Sequence, residues 1–504
     1  MRKTLLFLAL LAGLSSIAQT REFQNVLRAR ARTTGGVIMK NNELGGYYSF
    51  YETDKVDGKN RAFRVALMDD NLGEAGEIRI VRPKNSILME CVFNGKAFLL
   101  FFLNDKNVEM ETYDTNGKKL GSKVYEDVTK WERTRAMMAA KAGENGEVNQ
   151  SIFPIGDGGF LKQSITKGET YGYQLTAYNN DLTVRWETDA PKSDMIEAVD
   201  VIEVTNDFIV GSMYKMKNRM TMPDFALAVL FDVKTGKKLW EKELTVDGQK
   251  MTVLNAFPAE GKDELVFTGE FFGPKDNIVK DKSKGLYAMR TGYDGVPTQT
   301  EFYSWEKDIL PLVPADEKGK KELDRILFHK MVRLKSGSIY CIGEEYKKVM
   351  GATGGIQITT KNLVVLELGP DLKMKGCSVI PKSKQRTEFP MEYVQLSASV
   401  LAQLTKQMGF FDYEFTTQDK VGDRFFVTYV GFDRGKNESG DKVGSYIGTV
   451  IGDGKSKPTV DKYDVDAKDA TFFRVLPAKA GYVAIYEYSK KLKRINFRLE
   501  KMAY

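Results

Sequence analysis

The chain has 504 residues, with 75 Lys and Arg against 68 Asp and Glu, a formal net charge of +7, one histidine and three cysteines. So mild a positive balance excludes a nucleic-acid footprint. A single histidine, His329, removes most His-based zinc sites and all two-histidine iron sites.

Residues 1–18 read as a signal peptide: Arg2 and Lys3 precede an apolar run over 5–14, and Ser16 and Ala18 suit the −3 and −1 positions of a cleavage site. The run is too short for a membrane-spanning helix, and no later stretch is long and apolar enough to cross. Cleavage before Gln19 removes two positive charges, taking +7 to +5. The expectation is an exported chain, periplasmic or secreted, whose residues 19–504 form a single domain.

From there the sequence repeats one unit, a strand-like run, an acidic turn and a second strand-like run. The turns are Asp69-Asp70-Asn71, Asp114-Thr115-Asn116-Gly117, Asn179-Asn180-Asp181, Asp232-Val233-Lys234-Thr235-Gly236, Asp294-Gly295, Gly369-Pro370-Asp371 and Gly452-Asp453-Gly454. An eighth, Ser489-Lys490-Lys491, lacks the aspartate. Intervals of 44, 67, 51, 62, 77 and 82 residues between turn aspartates indicate loop insertions in a degenerate repeat.

Around these turns, Val108-Glu109-Met110-Glu111-Thr112 alternates with period two, the mark of a half-buried strand. Runs over 207–214, 225–231 and 237–243, then 264–272, 285–293 and 299–305, then 337–345, 362–368 and 373–380, then 424–431, 445–451 and 458–464 mark units of three or four strands. A further strand near 37–40 is expected to complete the C-terminal unit and close the ring. All four tryptophans precede glutamate, as Trp131-Glu132, Trp186-Glu187, Trp240-Glu241 and Trp305-Glu306. A ring at that position can wedge between adjacent sheets. Residues 130–141, 320–334 and 397–408 read as helices inserted on one rim; in the last, Ser397 caps and Gly409 terminates. Cys341 and Cys377 fall on strands separated by a third, beyond disulfide reach, so all three cysteines are expected as buried thiols.

No motif carries chemistry unambiguously. Gly454-Lys455-Ser456 lacks the upstream glycine of a phosphate-binding loop and reads as a hairpin turn. Gly351-Ala352-Thr353-Gly354-Gly355 reads as a flexible loop, and no segment matches the twelve-residue calcium loop. Lys490, Lys491, Lys493, Arg494 and Arg498 form a solvated hairpin tip, with Tyr486, Tyr488 and Phe497 alternating into the core. Carboxylate pairs such as Glu344 with Glu345, Asp69 with Asp70, or Asp412 with Glu414 cannot be ranked by spacing. No catalytic residue, metal ligand or cofactor is assigned.

Small sheets repeated six to eight times point to an all-β protein, a β-propeller of seven or eight blades with short helical insertions. Residues Val229-Leu230-Phe231-Asp232-Val233-Lys234-Thr235-Gly236-Lys237-Lys238-Leu239-Trp240-Glu241 resemble the repeat hairpin of quinoprotein-type (PQQ-like) propellers, and Tyr113-Asp114-Thr115-Asn116-Gly117-Lys118-Lys119-Leu120 is a weaker copy. The whole chain is similar to exported bacterial propeller-like proteins. The resemblance implies a fold, not an activity, and adjacent cysteines of the kind found in quinone-dependent enzymes are absent. The expected role is a non-enzymatic binding or scaffold module of the bacterial envelope, taking a protein or glycan ligand at a propeller face. The alternative is a carboxylate-dependent enzyme acting on glycans or similar polymers.

Overall fold

Period-two strands ended by aspartate turns fold this chain into antiparallel four-stranded sheets. The computed structural model describes residues 19–29, 35–40, 43–104, 107–125, 151–166, 172–218, 223, 225–259, 264–315, 318–350, 355–432, 444–465 and 469–502. Its sheets are the blades of an eight-bladed β-propeller. Contacts divide the chain into two units, 1–87 with 466–504, and 88–465. The inserted helix expected over 130–141 and the loop at 351–354 lie outside the described residues.

The first unit holds blades one and eight. Blade one is Gly35–Lys40, Glu43–Lys55, Asn60–Met68 and Glu74–Pro83. Blade eight is Phe472–Pro477, Tyr482–Ser489 and Arg494–Lys501, completed by Thr20–Phe23 from the other end of the chain. The closing strand is therefore Thr20–Phe23, not the run near 37–40, which opens blade one. Its register sets Phe23 opposite Ile495 and Thr20 opposite Arg498. The misreading has a physical source. Thr20–Phe23 is four residues long with one buried side chain, too short for periodicity to register. The shared core includes Phe23, Val26, Tyr47, Tyr51, Leu72, Tyr486 and Phe497.

The second unit holds blades two to seven. Blade five is Asn255–Pro258, Glu264–Phe272, Gly285–Gly292 and Pro297–Ser304. Blade six is Arg325–Arg333, Ile339–Met350, Ile356–Leu368 and Met374–Ile380, and Gln385–Phe389 pairs with the extended part of its third strand. Blade seven is Tyr413–Asp419, Arg424–Phe432, Ser445–Gly452 and Thr459–Asp464. The expected helix over 397–408 is present as Ala398–Gln407, with Ser397 Oγ accepting from Val400 N–H at 3.2 Å. The helix expected over 320–334 is absent, because Arg325–Arg333 is the first strand of blade six. A bulge between Phe328 and Lys330 shifts the strand's phase, so its apolar residues lose the period of two that would have marked it.

The seven aspartate turns share one place, the hairpin between third and fourth strands. In each, the carboxylate accepts backbone N–H groups, as Asp232 does from Lys234 at 3.0 Å and Thr235 at 2.7 Å. The turn at Ser489 instead joins the second and third strands of blade eight. Three turns place leucine, not glycine, in the left-handed region, with φ of 65° at Leu72, 66° at Leu182 and 63° at Leu372. That conformation costs about 1–2 kcal/mol for a residue with a Cβ. All three side chains are buried, and a buried Leu gains about 1.5–3 kcal/mol, so burial offsets the strain.

Within the second unit, fourth-strand side chains latch onto the next blade's turn. Trp186 Nε1 donates to Val233 O at 3.0 Å, Trp240 Nε1 to Tyr293 O at 2.8 Å, and Tyr303 Oη to Leu372 O at 2.7 Å. A Cβ on Gly236 would lie 2.3 Å from the Trp186 ring, so the ring and the glycine fit as a pair. Cys341 and Cys377 both face Leu366 from either side, and all three cysteines are free. Cys341 is buried; Cys91 and Cys377 are half-buried.

Candidate functional site

The second strand of blade five, Glu264–Phe272, opens on Glu264, runs through apolar Leu265, Val266 and Phe267, and carries a second carboxylate, Glu270, near its end. The loop that follows turns on Asp276, whose carboxylate accepts from Gly273 N–H at 2.8 Å, and returns Ser283 beside Glu270. After the fourth strand, Ser304 caps a single π-helical turn, Trp305–Ile309, and Trp305 N–H bonds Lys284 O at 2.9 Å. Such turns cluster at functional sites. From blade six come Arg325 and Tyr346, and the inserted helix supplies Ser399. Ser397 Oγ donates to Val279 O at 2.9 Å, fixing the helix to the blade-five loop.

These elements enclose a cleft with about 480 Å³ of empty space including its open mouth. Its polar lining is chained. Trp305 Nε1 donates to Ser283 Oγ at 3.0 Å, and Ser283 Oγ donates to Glu270 Oε1 at 2.6 Å. Opposite, Tyr346 Oη and Arg325 Nη1 both donate to Ser399 Oγ, at 3.2 and 3.4 Å. Leu310, Leu323 and Ile326 supply apolar wall. Burial pushes the Glu270 carboxyl up to about 7, against the Ser283 hydrogen bond and the Arg325 charge. Glu270 can therefore donate or accept near neutral pH. Asp324 also lines the cleft but is ion-paired to Lys361, and Glu306 sits exposed.

A second polar cluster lies wholly inside the unit, between blades six and seven. Lys382, on the segment after blade six's fourth strand, is buried between two carboxylates. Its Nζ is 2.6 Å from Asp412 Oδ2 and 2.8 Å from Glu344 Oε2. Glu344 Oε1 accepts from Tyr413 N–H at 2.7 Å and lies 3.5 Å from His329 Nε2. The His329 ring stacks on Tyr413 at 4.6 Å and meets Phe411 edge-on at 5.1 Å. Burial alone would raise Glu344, but the charge of Lys382 and the contact with His329 outweigh it and pull the carboxyl down to about 2. Burial pushes Asp412 up to about 6, with Lys382 opposing and Glu344 adding. Lys382 is held above its ordinary value, because both carboxylates outweigh its desolvation.

The structure splits the Glu344–Glu345 pair of the sequence. Consecutive strand residues face opposite sides. Glu344 faces Lys382, whereas Glu345 accepts from Asp324 N–H at 3.0 Å and Asn362 Nδ2 at 2.7 Å. Glu344 meets Asp412, one member from each of two pairs. Asp69 is a turn acceptor and Asp70 accepts from Asn71. His329 sits at the bulge in the blade-six strand. Sequence reasoning missed Lys382, which sits in a Pro-Lys-Ser-Lys segment that reads as exposed loop. It also missed Glu270, whose only signal is a carboxylate set between Gly269 and Phe271 in a mostly apolar strand. Among the described residues, no group of three or more His, Cys, Asp or Glu is placed to hold a metal ion, and no helix is long and apolar enough to cross a membrane.

A model of a family of unknown function, DUF6770, matches residues 1–503. No curated protein matches the chain. Among solved structures, the Dos1 propeller aligns with 96% of this chain and 95% of its own, at 7% identity and a TM-score of 0.42. Prolyl oligopeptidase B from Galerina marginata aligns with 91% of this chain at 10% identity and a TM-score of 0.39. This chain spans 55% of that peptidase's length. The WD40 domain of Toxoplasma gondii coronin aligns at 11% identity, covering 96% of this chain and 85% of its own, with a TM-score of 0.32. Scores this low transfer no activity.

Proposed function

We propose that this chain, which belongs to the DUF6770 family, is an exported, non-enzymatic binding propeller of the bacterial envelope whose ligand enters the cleft between blades five and six. The observation that carries the reading is the cleft's lining. It offers one protonatable carboxyl, Glu270, with Ser283, Ser399, Tyr346 and Arg325 around it. Hydroxyls, a guanidinium and a carboxyl that can donate or accept suit the hydroxyl and amide groups of a glycan or an extended peptide. A glycosidase needs two carboxylates flanking the scissile bond. Of the cleft's other carboxylates, Asp324 is tied to Lys361 and Glu306 is exposed, and the Glu344 and Asp412 carboxylates are buried around Lys382.

Export rests on residues 1–18 as a removable signal peptide, and the quinoprotein-like hairpin at 229–241 supports kinship of fold only. The test is a thermal-shift screen of the chain beginning at Gln19 against glycans, peptides, metals and quinones. Stabilisation should grow with glycan or peptide concentration and weaken at least tenfold in midpoint with Arg325→Ala. Stabilisation unaffected by Arg325→Ala would remove the cleft from the reading.

A further inference from the structure

We infer that Lys382 and Asp412 are joined in the folded protein by an isopeptide bond formed autocatalytically, with the Glu344 carboxylate as the proton carrier. The amine and both carboxylates are already in contact. Lys382 Nζ touches Asp412 Oδ2 at 2.6 Å and Glu344 Oε2 at 2.8 Å. The side chains of Lys382 and Glu344 are 0% exposed and that of Asp412 is 9% exposed. The His329 ring, 3.5 Å from Glu344, packs against Phe411 and Tyr413. Groups held at contact distance react with effective molarities of roughly 10⁵–10⁸ M. Burial of the ions supplies a driving force, since desolvation of a charged lysine and carboxylate costs several kcal/mol per ion, and an amide carries no charge.

The roles follow from the surroundings. Glu344 is braced by Tyr413 N–H at 2.7 Å and faces His329, which hold it ionised; it is a weak base while Lys382 is charged and gains basicity as the proton leaves Lys382, a transfer that burial of the two ions favours. Asp412, further from such support and held toward its protonated form, is the electrophile. Glu344 takes one proton from the Lys382 ammonium. The freed amine attacks Cγ of protonated Asp412. The Nζ–Cγ bond forms, the bond from Cγ to the hydroxyl oxygen breaks, and water leaves. Ammonium, carboxylic acid and carboxylate become amide, water and protonated Glu344, so atoms and charge balance and no oxidant is needed. The amide closes a loop spanning 30 residues that contains the helix Ala398–Gln407 and ties the end of blade six to the start of blade seven.

The experiment is intact-mass spectrometry of the purified full chain, with a digest that fixes its N-terminus and maps the linkage. The expected result is a mass one water below that of the sequence, no tryptic cleavage at Lys382, and a branched peptide joining it to Asp412. Asp412→Ala, Lys382→Met and Glu344→Gln should each restore the full mass. The wild-type measurement stands alone if a variant fails to fold. A wild-type chain at full sequence mass overturns the inference, as does a missing water mapped elsewhere. A folded Glu344→Gln chain that still lacks one water overturns the role given to Glu344.

Discussion

Phe23→Ala tests how the ends of the chain are joined. The strand Thr20–Phe23 adds the fourth rung of blade eight, and Val26 N–H continues the join to Lys493 O at 2.9 Å. Phe23 is 6% exposed and its ring meets Tyr51 at 5.5 Å. Truncating a buried Phe costs about 3–5 kcal/mol, including the cavity left behind. The strand is short and at an edge, where neighbours can relax, so the low end applies, about 3 kcal/mol. In a unit of this size that lowers the melting temperature by roughly 11–13 °C. Calorimetry or urea unfolding of the two proteins reads it directly. Glu22→Ala is the control; its ion pair with Arg494 at 3.2 Å is exposed and should shift stability by less than about 0.5 kcal/mol. A loss below about 1 kcal/mol for Phe23→Ala would refute the packing argument for closure.

Three further outcomes are expected. Gly236→Ala must force a Cβ to 2.3 Å from the Trp186 ring at a φ of +70°, costing about 2–4 kcal/mol in a thermal melt; Gly58→Ala, with nothing within 4 Å, should be near neutral. Leu372→Gly relieves a φ of 63° but empties a fully buried position, so the net change should be a loss of about 1–3 kcal/mol, and a gain would reverse the balance drawn here between burial and strain. The folded state holds the Glu270 proton up to about pH 7 against an ordinary value near 4.5, so wild-type stability should fall as pH rises through that window, by about 2–3 kcal/mol. Glu270→Gln should flatten that slope in melts between pH 4.5 and 8, and identical slopes would contradict the shift.

The blades were legible because each hairpin repeats both a period of two and an aspartate turn. Residues 264–272 match the strand Glu264–Phe272 end for end. The helix at Ala398–Gln407 was legible because Ser397 and Gly409 bracket it chemically. Reading failed where geometry departs from the repeat. The His329 bulge disguised a strand as a helix, and the short closing strand carries no period. The site was not legible at all. Glu270, Arg325, Tyr346 and Ser399 come from two blades and an insertion, and Lys382 gains its character only from burial between Glu344 and Asp412. Spacing along the chain holds no record of such meetings.

The most direct test of the binding account is to incubate the chain beginning at Gln19 with each glycan or peptide that stabilises it, then measure both the bound fraction and the integrity of the ligand. The account predicts saturable binding at one site per chain, weakened at least tenfold by Arg325→Ala, with the ligand recovered intact. A ligand recovered cleaved, at a rate abolished by Glu270→Gln, would contradict it and make the cleft an active site.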